Sequence, residues 1–440
     1  MDKIRITGGN KLQGEVEISG SKNASLPLMA APLLTEAPCR LQRIPHLADI
    51  TTMAHMLEFI GADVERGEDG VLAIHAQNLQ VTEAPYDLMR KMRASIYVMG
   101  PLLARFGQAK VSLPGGCAIG TRPVDLHLRG FEALGARIEL SHGYIQAIAP
   151  AGGLRGAECV LSGPSGPSVG ATCNVLMAAV LAKGHSTLRD IAREPHVEDL
   201  IHCLNGMGAQ IESNGCDVLE VDGVDALHGV EHRVIPDQIE AATFMLAAAL
   251  TRGNVVLRDC RPSHMRSEIA KLHEMGAQAE VLENGYDLRV WRDEPFRPAA
   301  VRTAPYPGFP TDVQAQFMVA MSLAQGESVV VETIFPDRFM HAAELNRMGA
   351  DIRVLNGTAT IHGVERLSGA AVMCSDLRAS AALVLAGLVA QGETECLRVY
   401  HIDRGYERIE AKLRALGADI ERLTATEAGE TPETPDSPAS

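Results

Sequence analysis

Leu345-Asn346-Arg347-Met348-Gly349-Ala350-Asp351-Ile352 compresses a helix end, a reversal and the start of a strand into eight residues. Gly349 fits the position just past a helix C-terminus, where positive φ is free of strain for a glycine, and the residues after it enter a strand. The same pattern occupies 57–64, 131–138, 204–211, 272–279 and 413–420. The glycines of the six copies, Gly61, Gly135, Gly208, Gly276, Gly349 and Gly417, are separated by 74, 73, 68, 73 and 68 residues. Such regular self-similarity marks one supersecondary unit used six times.

Upstream of several copies lies a second helical stretch of small and apolar residues. Examples are 178–183 before Gly184, 247–252 before Gly253 and 381–391 before Gly392. Each leads into a β-branched strand such as Asn254-Val255-Val256-Leu257 or Ser328-Val329-Val330-Val331. Helices this rich in alanine and apolar nearly all round belong inside a domain. The unit is therefore two strand–helix elements and a returning hairpin. Six units group as three plus three, which predicts an α/β chain of two similar domains. The break is expected near 229–237, with His232-Arg233-Val234-Ile235-Pro236-Asp237 as a connector. A cleft between similar domains is a preferred ligand site.

Composition narrows the function. The chain has 440 residues, 46% of them hydrophobic, and a net charge of −15, which argues against non-specific nucleic-acid binding. An anionic ligand must then be held by a local cluster of cations. The start lacks an apolar signal region and no apolar run reaches membrane-spanning length, so a cytoplasmic protein without membrane attachment is expected. Nine cysteines without a C-x-x-C pair, and fifteen histidines without a ligand spacing, predict reduced thiols and no metal. The tail from Thr424, with its prolines and four acidic residues, is expected to be disordered.

One further stretch carries chemistry: Leu113-Pro114-Gly115-Gly116-Cys117-Ala118-Ile119-Gly120-Thr121-Arg122-Pro123-Val124-Asp125-Leu126. A cysteine among glycines, bracketed by prolines and followed by an arginine, suits a lid that bears its own reactive group. A surface turn with an idle cysteine fits the loop alone equally well.

With these residues in view, the chain resembles the enolpyruvyl transferases. The resemblance runs from Met1 to about Leu423 and rests on seven separated motifs. They are Ser19-Gly20-Ser21-Lys22-Asn23-Ala24, Met92-Arg93-Ala94-Ser95-Ile96, the Cys117 lid, Pro167-Ser168-Val169-Gly170-Ala171-Thr172, Pro310-Thr311-Asp312-Val313-Gln314-Ala315-Gln316, Ser375-Asp376-Leu377-Arg378-Ala379-Ser380 and His401-Ile402-Asp403-Arg404-Gly405-Tyr406-Glu407. It implies an inside-out α/β barrel fold, each domain built of three βαβαββ units around buried parallel helices. It also implies a crossing, with one domain at 22–234 and the other formed by 1–21 and 235–423, two connectors serving as hinge.

The activity implied is transfer of the enolpyruvyl group of phosphoenolpyruvate to the 3′-hydroxyl of UDP-N-acetylglucosamine, with release of phosphate, the first committed step of peptidoglycan synthesis. Phosphoenolpyruvate is compact and multiply anionic. Lys22, Arg122 and Arg404 match the family's cations for it, meeting across a closed cleft, and Arg378 is a further phosphate contact. Cys117 matches the proton donor to the methylene carbon, able also to form a covalent adduct. A thiol of pKa about 8.5 is mostly protonated at neutral pH. Asp312 matches the base for the acceptor hydroxyl, and Asp376 an alternative base or orienting partner. Asp312 is equally a plausible helix N-cap before Val313. For the nucleotide, Arg122, Pro123, Val124, Asp125 and Leu126 should frame the uracil, and Ser168, Val169 and Gly170 should present helix N-terminal amides to the diphosphate. Asn23, Arg93 and Ile334 match further contacts. No cofactor or metal is implied, since side chains supply the cations, and the other eight cysteines are expected to be apolar packing residues.

Four positions depart from the pattern: Gly166 where a lysine is frequent, Cys173, His196 and Gln238. They leave room for a paralogue acting on another nucleotide or nucleotide sugar. Shikimate 3-phosphate as acceptor fits less well, because that branch lacks the Cys117 lid. A non-catalytic copy that binds UDP-sugar is opposed by the intact catalytic set.

Overall fold

A computed structural model describes residues 2–68, 70–89, 92–113 and 124–424. Six four-stranded sheets account for almost all the strands. Five share one order, a parallel edge strand, the strand after the buried helix, then a hairpin with its second strand inside; in the sixth, Lys3–Thr7 takes the inner place beside Asp419–Leu423. In the most regular example, Ala300–Arg302 runs parallel to Glu327–Val331, which pairs antiparallel with Thr358–His362, and Asp351–Leu355 closes the edge. This is the βαβαββ unit.

The six repeat glycines all take positive φ, between 93° and 108°. In each copy the alanine after the glycine donates its N–H to the carbonyl five residues back, as Ala350 does to Leu345 at 3.1 Å and Ala418 to Leu413 at 3.1 Å. That bond satisfies a carbonyl orphaned at the helix end and turns the chain into the strand. It explains why the pair is Gly-Ala.

The apolar helices are interior, as their composition predicts. Every residue of Gln238–Leu250 after the first is buried, and so is all of Gln314–Ser322. Leu377–Val389 is buried from Arg378 to Leu388. A helix satisfies its own backbone, so it can be surrounded by apolar neighbours on every side. These helices end earlier than the sequence suggests, at Ala179, Leu250 and Val389. A short turn follows each. Before Gly253 it is Arg252 that takes positive φ, and Gly253 is required for a different reason: an added Cβ would lie 2.2 Å from the Leu12 carbonyl.

The chain divides into two compact units. One holds Ser19–Asp237 and Ala304–Gly308. The other holds Ile18 and the described chain before it, Gln238–Thr303, and the described residues from Phe309 onward. The boundaries thus fall at 18/19 and 237/238 rather than 21/22 and 234/235. The reason is local pairing: Ser21 N–H donates to the Ile235 carbonyl at 2.8 Å and Asp237 N–H to the Ser19 carbonyl at 2.9 Å. The expected connector is also partly a strand. Glu231–Arg233 runs parallel to Arg40–Gln42 as the edge of the first sheet. The N-terminal segment likewise serves two sheets of the other unit. Gln13–Glu17 is the parallel edge beside Asn254–Arg258, and Lys3–Thr7 lies between Glu393–Leu397 and Asp419–Leu423. Residues 425–440, most of the expected tail, lie outside the described residues.

Candidate active site

In the unit holding Ser19–Asp237, Lys22 is the first residue of helix Lys22–Ala30, capped by the Ser21 hydroxyl, which accepts from Ala24 N–H at 3.3 Å. Lys22 N–H donates to Asp237 Oδ2 at 3.0 Å, and Lys22 Nζ stands 3.5 Å from the buried Asp49 carboxylate. The helix start and this ion pair fix both ends of the lysine. Asn23 follows on the same turn, half-buried.

Ser168 is the N-cap of Val169–Ala179 and accepts from Ala171 N–H at 3.2 Å, so Val169 and Gly170 sit in the first turn, where amides are available to an anion. The helix begins two residues earlier than Ala171. Gly170 is closely approached by His127, since a Cβ there would lie 3.0 Å from His127 Nε2. His127 is itself buried, and its Nδ1 lies 3.1 Å from Asn174 Nδ2, which also donates to the Ile96 carbonyl at 2.9 Å. The amide donor makes Nδ1 the acceptor and leaves the proton on Nε2. Val124 precedes helix Asp125–Ala133; Val124 and Leu126 pack on the core, and Asp125 is exposed. Cys117, Arg122 and Pro123 lie outside the described residues. Arg93 opens the 3-10 helix Arg93–Val98, and its side chain is likewise outside them.

The departures acquire physical readings. Gly166 has φ 92° in the tight hairpin joining Ser162–Gly163 to Gly166–Pro167, so a lysine there would be strained. Cys173 is wholly buried within its helix, where burial pushes the thiol far above its ordinary range. His196 is buried, and Gln238 starts a core helix, half-buried. Of the eight cysteines expected as packing residues, seven are buried, but Cys216 is exposed, because it lies in the tight turn before Val218–Asp222.

In the other unit, Asp312 sits in the 3-10 turn Thr311–Val313 ahead of Gln314–Ser322. The N-cap of that helix is Val313, without a side-chain bond, so the capping alternative for Asp312 is not what its carboxylate does. Asp312 Oδ1 instead stands 2.8 Å from Arg338 Nη2 and 3.4 Å from Arg378 Nε, both guanidinium groups being buried. Arg338 Nη1 donates to Thr311 Oγ1 at 3.1 Å, and that hydroxyl donates to the buried Glu332 at 2.9 Å. Glu332 Oε1 accepts from Thr303 Oγ1 at 2.8 Å and from the amides of Ile334 and Phe335 at 2.8 and 3.0 Å. Ile334 is thereby placed by its backbone. Arg338 and Glu332 escaped the sequence reading, for a lone arginine in Phe335-Pro336-Asp337-Arg338-Phe339 gives no periodic signal.

Asp376 is the N-cap of Leu377–Val389; its Oδ1 accepts from Arg378 N–H at 2.8 Å and Ala379 N–H at 3.1 Å. It orients the helix turn that bears Arg378. Arg404 ends the 3-10 helix Val399–Arg404, half-buried. The His401 ring beside it is held below the usual imidazole range by burial and by the Arg404 charge.

Two units, each of three four-stranded sheets packed with buried helices, and cations gathered around an aspartate in one of them, define the enolpyruvyl transferase class. The chain belongs to the EPSP synthase (3-phosphoshikimate 1-carboxyvinyltransferase) family, whose model matches residues 6–413. It is 55% identical over 426 residues to UDP-N-acetylglucosamine 1-carboxyvinyltransferase of Granulibacter bethesdensis, covering 96% of this chain and 100% of that one. It is 54% identical over 437 residues to the protein of the same name from Rhodospirillum centenum, covering 97% and 100%. Among solved structures, the enolpyruvyl transferase NikO from Streptomyces tendae superposes with TM-score 0.86 at 26% identity, covering 96% of this chain and 99% of that one. EPSP synthase from Acinetobacter baumannii shares the fold, with TM-score 0.76 at 19% identity, covering 96% and 100%. Among the described residues, no helix is long and apolar enough to cross a membrane.

Proposed function

We propose that the chain transfers the enolpyruvyl group of phosphoenolpyruvate to the 3′-hydroxyl of UDP-N-acetylglucosamine, releasing phosphate, as the first committed step of peptidoglycan synthesis in the cytoplasm. The reading is carried by likeness over nearly the whole chain to proteins of that activity. The pairing of Asp312 with Arg338 and Arg378 supports it.

The acceptor oxygen bonds to C2 of phosphoenolpyruvate while its proton passes to Asp312. A carboxylate of pKa about 4 is a weak base for an alcohol, so proton removal accompanies C–O bond formation. Cys117 delivers a proton to C3. Loss of a proton from C3 and of phosphate from C2 then restores the double bond. Lys22, Arg122 and Arg404 hold the anionic groups of phosphoenolpyruvate, Arg as a planar fork and Lys as a point charge. Val124, Asp125 and Leu126, with Arg122 and Pro123, frame the uracil. Ser168, Val169 and Gly170 meet the diphosphate, and Asn23, Arg93 and Ile334 complete acceptor binding.

Phosphate release from phosphoenolpyruvate, measured with UDP-N-acetylglucosamine, with shikimate 3-phosphate and with neither, tests the reading. Release that requires the first acceptor is expected. Release driven by shikimate 3-phosphate alone overturns it.

A further inference from the structure

Asp403 immediately precedes Arg404 in the 3-10 helix Val399–Arg404, and its carboxylate is gripped at two points by Arg422. Arg422 Nη2 lies 2.5 Å from Asp403 Oδ1, and Nη1 lies 3.1 Å from Oδ2. The third nitrogen, Nε, stands 3.4 Å from Glu410 Oε1, and Nη1 is 3.7 Å from Asp2. A single guanidinium thus ties together a strand, a helix and a turn: Asp419–Leu423, Ile409–Ala415 and Val399–Arg404. The strand is an edge strand held by its register with Lys3–Thr7, in which Arg422 lies opposite Ile4.

A 3-10 turn rotates about 120° per residue, so a clamp on Asp403 fixes the direction in which the next side chain leaves. We infer that Arg422 is a positioning residue: its fork on Asp403 holds the turn that aims Arg404 at phosphoenolpyruvate. The inference rests on the role given above to Arg404. A planar fork does what a point charge cannot, since only two parallel bonds fix the orientation of the carboxylate. The hydrogen bond it donates to Asp403 raises the Arg422 pKa, so the guanidinium stays charged at any working pH.

The test uses the full-length protein in three variants. Arg422→Lys keeps the charge and loses the fork, Arg422→Met loses both, and Arg5→Met breaks only exposed pairs with Glu421 and Glu393 in the same sheet. The dissociation constants of phosphoenolpyruvate and of UDP-N-acetylglucosamine, each measured without the other, are set beside KM, kcat and amide hydrogen exchange over 399–404. In Arg422→Lys we expect phosphoenolpyruvate affinity to weaken about tenfold or more, exchange over 399–404 to quicken, and UDP-N-acetylglucosamine affinity to stay within about twofold. The rise in KM should exceed the fall in kcat, and Arg5→Met should match the parent. Unchanged phosphoenolpyruvate affinity in a folded Arg422→Lys or Arg422→Met overturns the inference. So does an equal loss for both substrates, which signals general damage. Should Arg422→Met fail to fold, Arg422→Lys decides. A parent protein that binds phosphoenolpyruvate but cannot use UDP-N-acetylglucosamine sinks the acceptor assignment alone, the clamp still being judged by affinity and exchange.

Discussion

Arg338 Nη2 lies 2.8 Å from Asp312 Oδ1, and the same guanidinium reaches Thr311 through Nη1. One buried arginine therefore sets both the aspartate and the residue before it. Asp312→Asn should lower kcat by about 100-fold or more, the usual scale for a lost general base, with little change in UDP-N-acetylglucosamine affinity. Arg338→Lys, which replaces the planar fork spanning Asp312 and Thr311 with a shorter point charge, should also lose activity while remaining charged. Steady-state phosphate release checks both, and near-parental kcat in Asp312→Asn removes Asp312 from proton transfer.

Cys117→Ser should abolish turnover near neutral pH while nucleotide binding survives, because an alcohol is far harder to deprotonate than a thiol and so transfers its proton less readily. Calorimetric titration with UDP-N-acetylglucosamine, run beside the phosphate assay, separates the two effects. Full activity in the serine variant would exclude the cysteine as proton donor.

Two buried groups should give stability opposing pH trends. Burial pushes the Glu268 carboxyl up to about 7 from an ordinary 4.5. Between those values the fold keeps a proton that the unfolded chain has lost, so stability falls as pH rises. Burial pushes the His341 ring down to about 4 from 6.5. There the unfolded chain binds the extra proton, so stability falls as pH drops through that window. Glu268→Gln removes the first trend and exposes the second. Its unfolding free energy in urea should climb more steeply than the parent's from about pH 5 to about pH 7. Identical slopes would mean that Glu268 titrates normally.

Glycines in this chain are needed for two distinct reasons, and alanine substitution should tell them apart. Gly349 has φ 93° with open space where a Cβ would lie, so Gly349→Ala should cost about 1–2 kcal/mol of backbone strain. At Gly363 a Cβ would lie 1.6 Å from the Ala324 carbonyl, a backbone atom that cannot step aside. Gly363→Ala should therefore cost about 3 kcal/mol or more. Denaturant unfolding of both variants checks the order, and a smaller loss at Gly363 would contradict it.

The repeat was legible because each copy needs a glycine at one backbone conformation, and Gly61 to Gly417 announce it without tertiary help. The interior helices were legible from composition alone. The edge strands Gln13–Glu17 and Glu231–Arg233 were not, since they join through backbone bonds and of Gln13–Glu17 only Val16 is buried. Among candidate residues, Lys22, Asp312 and Arg404 stood in recognisable motifs. Arg338 and Arg422 did not, because their importance comes from partners brought near only by folding, such as Thr311 and Asp403.

Lys3 donates to Glu395, a partner 392 positions away, and its strand is flanked on both sides by the last strands of the described chain. During synthesis Lys3–Thr7 emerges with no sheet to join and must wait for Glu393–Leu397 and Asp419–Leu423, while Gln13–Glu17 waits for Asn254–Arg258. The intervening Ser19–Asp237 portion, apart from the brief Ala304–Gly308 excursion, has its own sheets in hand long before. Nascent molecules should thus carry one settled half and one unclosed half until Asp419–Leu423 has been made, with loose strand edges in the interval that are most in need of chaperones.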